Sequence, residues 1–146
     1  KDKITADVTK AKQLADMVIV LPHWGTEYVY TPDSNQNYWT QLFLSLGVDV
    51  VIGTHPHVLE PVEVVSDTKG HEMLVYYSLG NFVSNQDQKP RMIGGMAKMT
   101  LVKDETGCYV TSDHTLSGCL PGTGVTAIPG ASENCREVRL FSGGYL

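Results

Sequence analysis

Two short aliphatic runs separated by an amphipathic segment limit the folds open to this sequence more than any other feature. "MVIVLP" (17–22) and "VDVVIG" (48–53) are rich in β-branched residues and lack polar alternation, as strands covered on both faces do. Between them "QNYWTQLFLSLG" places Trp39, Leu42, Phe43 and Leu46 on one helical face, with Asn35 or Ser34 as N-cap and Gly47 as stop. Strand, helix and strand in that order make a crossover unit with parallel strands, almost always right-handed. Ahead of it, "ITADVTKAKQLADM" reads as a helix capped by Thr5, with Val8, Ala11, Leu14 and Ala15 recurring at helical spacing.

Both strands run into histidine: His23 after the first, His55-Pro56-His57 after the second. Proline disfavours the helical region for the residue before it, so His55 is expected to be extended. In extended chain, residues i and i+2 share a side, which would aim His55 and His57 together. Gly53 permits a tight turn or a close backbone approach. Parallel strands place their carboxyl ends on one edge, where ligands of open α/β sheets bind. Three imidazoles meeting there without cysteine suit a divalent ion such as zinc, manganese or iron, which would activate water and neutralise a phosphoryl or carbonyl oxygen.

The remaining polar and aromatic residues have plainer readings. His71 and His114 sit in polar turns and read as solvated, while Trp24, Trp39 and Tyr38 read as core or pocket wall. Glu27 and Glu63 could orient imidazoles, though surface or capping roles suit them better. "YSLGNF" reads as a tight turn at Gly80-Asn81. A two-metal site would need bridging carboxylates, and Asp7, Asp16 and Asp49 fall at the wrong ends of their elements.

Beyond residue 60 the pattern becomes that of hairpins: "PVEVVS" with "EMLVYYS", then "GGMAKMTLVK" with "CYVTSDHTLS". From Leu120 onward the sequence is glycine-rich and reads as loop. The 146 residues, 42% hydrophobic, fit one domain without repeats. A formal net charge of −5 with no basic stripe argues against nucleic acid and anionic membrane surfaces as partners. No aliphatic run is long enough to span a bilayer, and no secretion leader opens the sequence. Cys108, Cys119 and Cys135 match no metal spacing. Either all three are separate thiols, or Cys119 and Cys135 bridge across "LPGTGVTAIPGASEN", which would point to an oxidising compartment.

Taken together, "DMVIVLPHWGTEY", "GVDVVIGTHPHVLEPVE" and "YYSLGNFVSNQ" resemble the CapA family of poly-γ-glutamate capsule biosynthesis proteins, within the calcineurin-like metallophosphoesterase superfamily. The resemblance covers Ala11 to Gln86 and fades beyond. It implies an α/β fold, the C-terminal half of a four-layer α/β/β/α sandwich, with a motif-bearing part over 1–86 and a β-rich extension over 87–146. By resemblance, His23, His55 and His57 are metal ligands, His23 and His57 are the catalytic candidates, and Glu27, Asn81 and Trp24 lie near the site. In "GTHPH" the glycine is one residue further from the first histidine than in the usual family motif.

The family's Gly-Asp and Asn-Asn-His motifs are not in this sequence. The resemblance therefore implies a partner, the N-terminal half of the same domain, and a large exposed apolar surface where it packs. It implies divalent metal ions whose ligand set is incomplete here, and a chain inactive by itself. The implied parent is a metal-dependent hydrolase or phosphoesterase of capsule synthesis or release, acting on a phosphoester or an anionic γ-glutamyl polymer. It would work outside the cytoplasm, at the cell surface or anchored to the membrane. Two other readings stand beside it: a non-catalytic polymer-binding or export-assembly protein, and a fragment without function of its own.

Overall fold

The computed structural model describes residues 1–82, 84–119 and 138–145, with 117–119 and 138–145 as backbone strand. β1 (Met17–His23) and β2 (Val50–Ile52) pair in parallel, Ile19 beside Val50 and Val20 beside Val51, and α2 (Ser34–Ser45) connects them. Met17, Val18, Ile19 and Val20 are all buried, so both faces of β1 are covered. Because strand side chains alternate, the sheet feeds two cores. Val18, Val20, Val51, Met73 and Val75 pack with Val8 and Ala11 of α1 (Asp2–Leu14) and with Trp39 and Phe43 of α2. Met17, Ile19, Val50, Leu74 and Tyr76 form the core on the other face.

The sheet has five strands in the order β3-β4-β2-β1-β9. β3 (Val62–Ser66) and β4 (Glu72–Tyr76) are the expected antiparallel hairpin, and β4 lies parallel to β2. The second face is covered by an antiparallel ribbon in two sections. β5 (Gly94–Lys98) pairs with β8 (Thr115–Cys119), and β6 (Leu101–Asp104) pairs with β7 (Gly107–Val110). Met99, Leu101, Val110 and Leu116 from this ribbon pack on the second core. The result is a mixed α/β fold with a parallel sheet and hairpins, consistent with part of a metallophosphoesterase-like domain.

Several local expectations are corrected. α1 begins at Asp2, so Thr5 lies inside it; Ile4 packs against the core, which extends the helix one turn earlier. Leu14, expected inward, is 50% exposed at the helix end. The cap of α2 is Asp33, not Ser34 or Asn35. Its side chain accepts from the Gln36 N–H while the Gln36 side chain accepts from the Asp33 N–H, a reciprocal pair that stabilises a helix start by about 1 kcal/mol. Gly47 follows α2 at φ +75°, as its role of stop requires.

The glycine-rich end, read as loop, contains β9 (Val138–Tyr145), parallel to β1 from Met17–Val138 to His23–Tyr145. Only pairing across the whole chain makes it a strand, which local composition does not reveal. The proposed Cys119–Cys135 bridge falls outside the described residues. Both faces of β1, β2 and β4 are covered. Large apolar side chains left exposed among the described residues include Tyr30, Phe82, Met92 and Ile93 outside the strands and Val64 on β3.

Gly53 meets the close approach foreseen for it. A Cβ there would lie 2.0 Å from the Tyr77 carbonyl oxygen and 2.4 Å from the Trp24 indole nitrogen, which itself donates to that carbonyl at 2.9 Å. Backbone cannot give way as a flexible side chain can. Gly53→Ala is expected to cost about 3 kcal/mol, at the upper end of overpacking effects. A urea midpoint unchanged from wild type would overturn this account of the β2 terminus.

Candidate functional site

The pairing of β1 and β2 continues past Ile52 as an isolated parallel bridge between His23 and Thr54. Thr54 N–H donates to the Pro22 carbonyl and Trp24 N–H to the Thr54 carbonyl, each at 3.0 Å. These bonds fix the residue after each strand, and they bring His23 to within 4.7 Å of His55, ring centre to ring centre. Tyr28 N–H then donates to the Pro56 carbonyl at 2.7 Å, drawing the loop that carries Glu27 over the His-Pro-His turn.

His55 and His57 do converge, with ring centres 6.0 Å apart, but not through extended backbone. Their φ values are +108° and +59°, and Tyr28 has +65°. Among the described residues these are the only non-glycine positions with positive φ, a conformation that costs energy and is held by its surroundings. Positive φ takes His55 and His57 out of extended backbone, so the same-side rule for extended chain does not apply. One oxygen of Glu27 and one nitrogen from each of His55 and His57 lie within 4.8 Å of one another, the compactness a shared cation requires. His23 stands behind His55, and its Nε2 lies 3.1 Å from His55 Nδ1.

Hydrogen bonding selects the tautomers. Asn81 Nδ2 donates to the carbonyls of Arg91 (2.8 Å) and His57 (3.3 Å), so its Oδ1 is the atom facing His57 Nδ1 at 2.7 Å. Nδ1 must carry the proton, and the His57 lone pair falls on Nε2, 3.8 Å from Glu27. A second relay serves His55. The Thr54 hydroxyl donates to the Pro22 carbonyl and accepts from His23 Nδ1, so His23 Nε2 accepts from His55 Nδ1. The lone pair of His55 is likewise left on Nε2. Burial, then the neighbouring His55 and His57, lower the pKa of His23, which favours the neutral form that this relay uses.

Other readings resolve differently. Gly80 makes the expected turn at φ +64°, but Asn81 is 7% exposed and serves as the orienter of His57. Trp24 is a core residue against Phe43 and Tyr77, whereas Tyr38 is 48% exposed. Glu63 is exposed on β3. His71 and His114, read as solvated, are half-buried; His71 Nε2 contacts the Val48 carbonyl at 2.8 Å and His114 Nδ1 the Thr111 carbonyl at 3.4 Å. Both line a cavity of about 390 Å³ with Asp49 and Cys108, at the amino end of β2 and β4 and remote from the histidine turn. Asp49 belongs to that end, where it bonds Lys12 and the Val18 N–H.

Sequence reasoning missed Glu60. It is 4% exposed, accepts from Gln36 Nε2 at 2.6 Å, and its second oxygen has no hydrogen-bond partner. Burial first, then the charge of Asp33, outweigh the Gln36 bond and raise its pKa from 4.5 to about 7. Gln36 therefore ties α2 and the Glu27 loop to the strand-end turn. The one signal was position: Glu60 sits between Leu59 and Pro61 at the close of an apolar stretch.

A parallel sheet with helices on one face and hairpins over the other is consistent with part of an α/β domain of metallophosphoesterase-like architecture. The chain belongs to the family described as Bacterial capsule synthesis protein PGA_cap, whose profile matches residues 1–86. It is 38% identical over 102 residues to the PGA biosynthesis protein CapA of Bacillus subtilis (strain 168), covering 70% of this chain and 26% of that protein. It is 36% identical over 89 residues to the capsule biosynthesis protein CapA of Bacillus anthracis, covering 58% and 20%. The chain thus spans about a quarter or less of the curated relatives it matches. No solved structure matches it significantly.

Glu60 gives the fold a pH dependence of definite sign. Unfolded it titrates near 4.5 and folded near 7, so between these values the native state holds more protons. Its contribution is greatest below pH 4.5, falls as pH rises towards 7 and is constant above. Allowing for partial screening, the loss is about 2 kcal/mol. Glu60→Gln should remove that component, measured as the difference in urea midpoint between pH 5 and pH 8 for the two proteins. Equal differences would refute it.

Proposed function

We propose that this chain contributes Glu27, His55 and His57 to the divalent-metal site of a hydrolase that acts in the synthesis or release of a poly-γ-glutamate capsule. The observation that carries the reading is the compact set of three ligand atoms, with both imidazole lone pairs fixed on Nε2 by neighbouring hydrogen bonds. Membership of the capsule synthesis family and the names of the relatives supply the biological setting. Two imidazoles and one carboxylate form a donor set for zinc, manganese or iron. An ion held there would supply Lewis-acid polarisation of a phosphoryl or carbonyl oxygen and a more acidic water.

The chain's own residues do the positioning. Asn81 holds His57 in one tautomer and orientation, and Thr54 with His23 does the same for His55. Such outer partners raise ligand basicity and are commonly worth 10- to 100-fold in metal affinity. His23 and His57 remain the catalytic candidates in this reading, His57 at the substrate-facing side and His23 through its hold on His55. Three donors leave coordination positions for other segments, so the partner in this reading is the N-terminal half of the same domain. The substrate is a phosphoester or the anionic γ-glutamyl polymer. In this reading the full-length protein works outside the cytoplasm, at the cell surface or membrane-anchored, which the relatives' names as capsule biosynthesis proteins support. No helix among the described residues is long and apolar enough to cross a membrane.

Native mass spectrometry with added zinc or manganese tests the site. Uptake of one ion per chain is expected in wild type and lost in His55→Ala and His57→Ala. Asn81→Leu should keep the ligands but weaken uptake by roughly 10- to 100-fold. Identical uptake in all four proteins would sink the metal reading. A polymer-binding, non-catalytic role predicts instead that affinity for poly-γ-glutamate survives both histidine substitutions.

A further inference from the structure

Strained backbone, ring stacking and unneutralised charge meet at one point beside the histidine turn. The Arg91 guanidinium carbon lies 3.4 Å above the centre of the Tyr28 ring, and that ring stands 6.0 Å from His57. Tyr28 is the third non-glycine residue with positive φ among the described residues; the other two are the proposed ligands His55 and His57. The left-handed conformation that costs energy at Tyr28 presents its ring beside the ligand cluster. From the other side, Arg91 is the third residue of the 3-10 segment Lys89–Met92, and its carbonyl accepts from Asn81, the residue that orients His57. Arg91 is thus fixed twice, by its carbonyl and by its side chain.

Among the described residues no carboxylate forms an ion pair with it. The ion pairs among the described residues are Lys12–Asp49 and Lys103–Asp16, Glu27 lies 3.8 Å from His57, and none of these contacts includes Arg91. A guanidinium lying flat on an aromatic ring keeps its in-plane N–H fork for a planar or tetrahedral oxyanion. The chain as a whole carries a formal charge of −5, so an anionic substrate needs a local cation to approach this edge.

We propose that Arg91, held flat on Tyr28, is the specificity residue that binds an oxyanion of the substrate beside Glu27, His55 and His57. This deepens the reading of the histidine edge as a substrate site and takes its substrate class from it: a carboxylate of the γ-linked polymer or a phosphoryl group, which share the same fork. Arg91 lies beyond the family-matched residues 1–86. Lys at this position would keep the charge but lose the fork and the stack.

Calorimetric titration of the protein with inorganic phosphate and, separately, with γ-linked triglutamate tests it, with and without manganese. Binding of at least one probe is expected, weakened tenfold or more in Arg91→Gln, restored only in part in Arg91→Lys, and weakened in Tyr28→Leu. The probe that responds identifies the source of the oxyanion. No binding of either probe to wild type, or equal affinity in Arg91→Gln, overturns the proposal. Thermal melting checks each fold, and Arg91→Lys, which keeps the stem and charge, serves if Arg91→Gln melts early. Loss of the metal reading appears as absent ion uptake with Arg91-dependent anion binding intact, so the two failures are separable.

Discussion

The register of β1 against β2 is the constraint on which the site depends. Two parallel pairs, Ile19–Val50 and Val20–Val51, continue as the His23–Thr54 bridge, and from there every functional side chain is placed by counting along the backbone. A slip of one residue would turn Val18 and Val20 from one core to the other and send His23 away from His55. The fit of Val18 and Val20 to one core and of Met17 and Ile19 to the other opposes that slip. The same packing that fills two cores therefore sets the distance between imidazoles.

Beyond the strand ends, hydrogen bonds take over from packing. Pro22, Thr54 and His23 form one relay, Asn81 and Arg91 another, and Gln36 with Glu60 ties the loop bases together. The strained conformations at Tyr28, His55 and His57 persist because these bonds over-determine them. Asn81 shows how much one amide can do: by donating twice to carbonyls it settles which oxygen faces His57, and hence where the ring's proton sits.

The crossover unit, the first hairpin and the histidines at one edge were legible because each rests on period and punctuation within a short window. Gly53 was legible for the same reason, as a glycine at a strand end. The convergence of His55 and His57 was foreseen for a reason that did not operate, since left-handed turns replace the extended chain inferred from Pro56. Glu27 as the carboxylate beside His57, Glu60 as a buried acid and Arg91 on Tyr28 were not legible as a constellation. Each depends on contacts between segments far apart in sequence, made by residue types that are usually solvated. β9 was hidden for the same reason, its identity as a strand coming wholly from its neighbour.

That neighbour has a consequence for how the protein comes to be folded. β1 sits between β2 and β9, yet β9 pairs with it across about 120 residues of chain. Parallel pairing at such separation demands closure of a long loop before any contact repays it, and contacts of this kind set slow rates. During synthesis, β1 and β2 can pair early while the far side of β1 stays open, an aliphatic edge of the sort that recruits foreign strands. The histidine edge is shaped by the early pair, whereas protection of the sheet waits for the late one. Assembly of the site and safety from aggregation are therefore events separated in time.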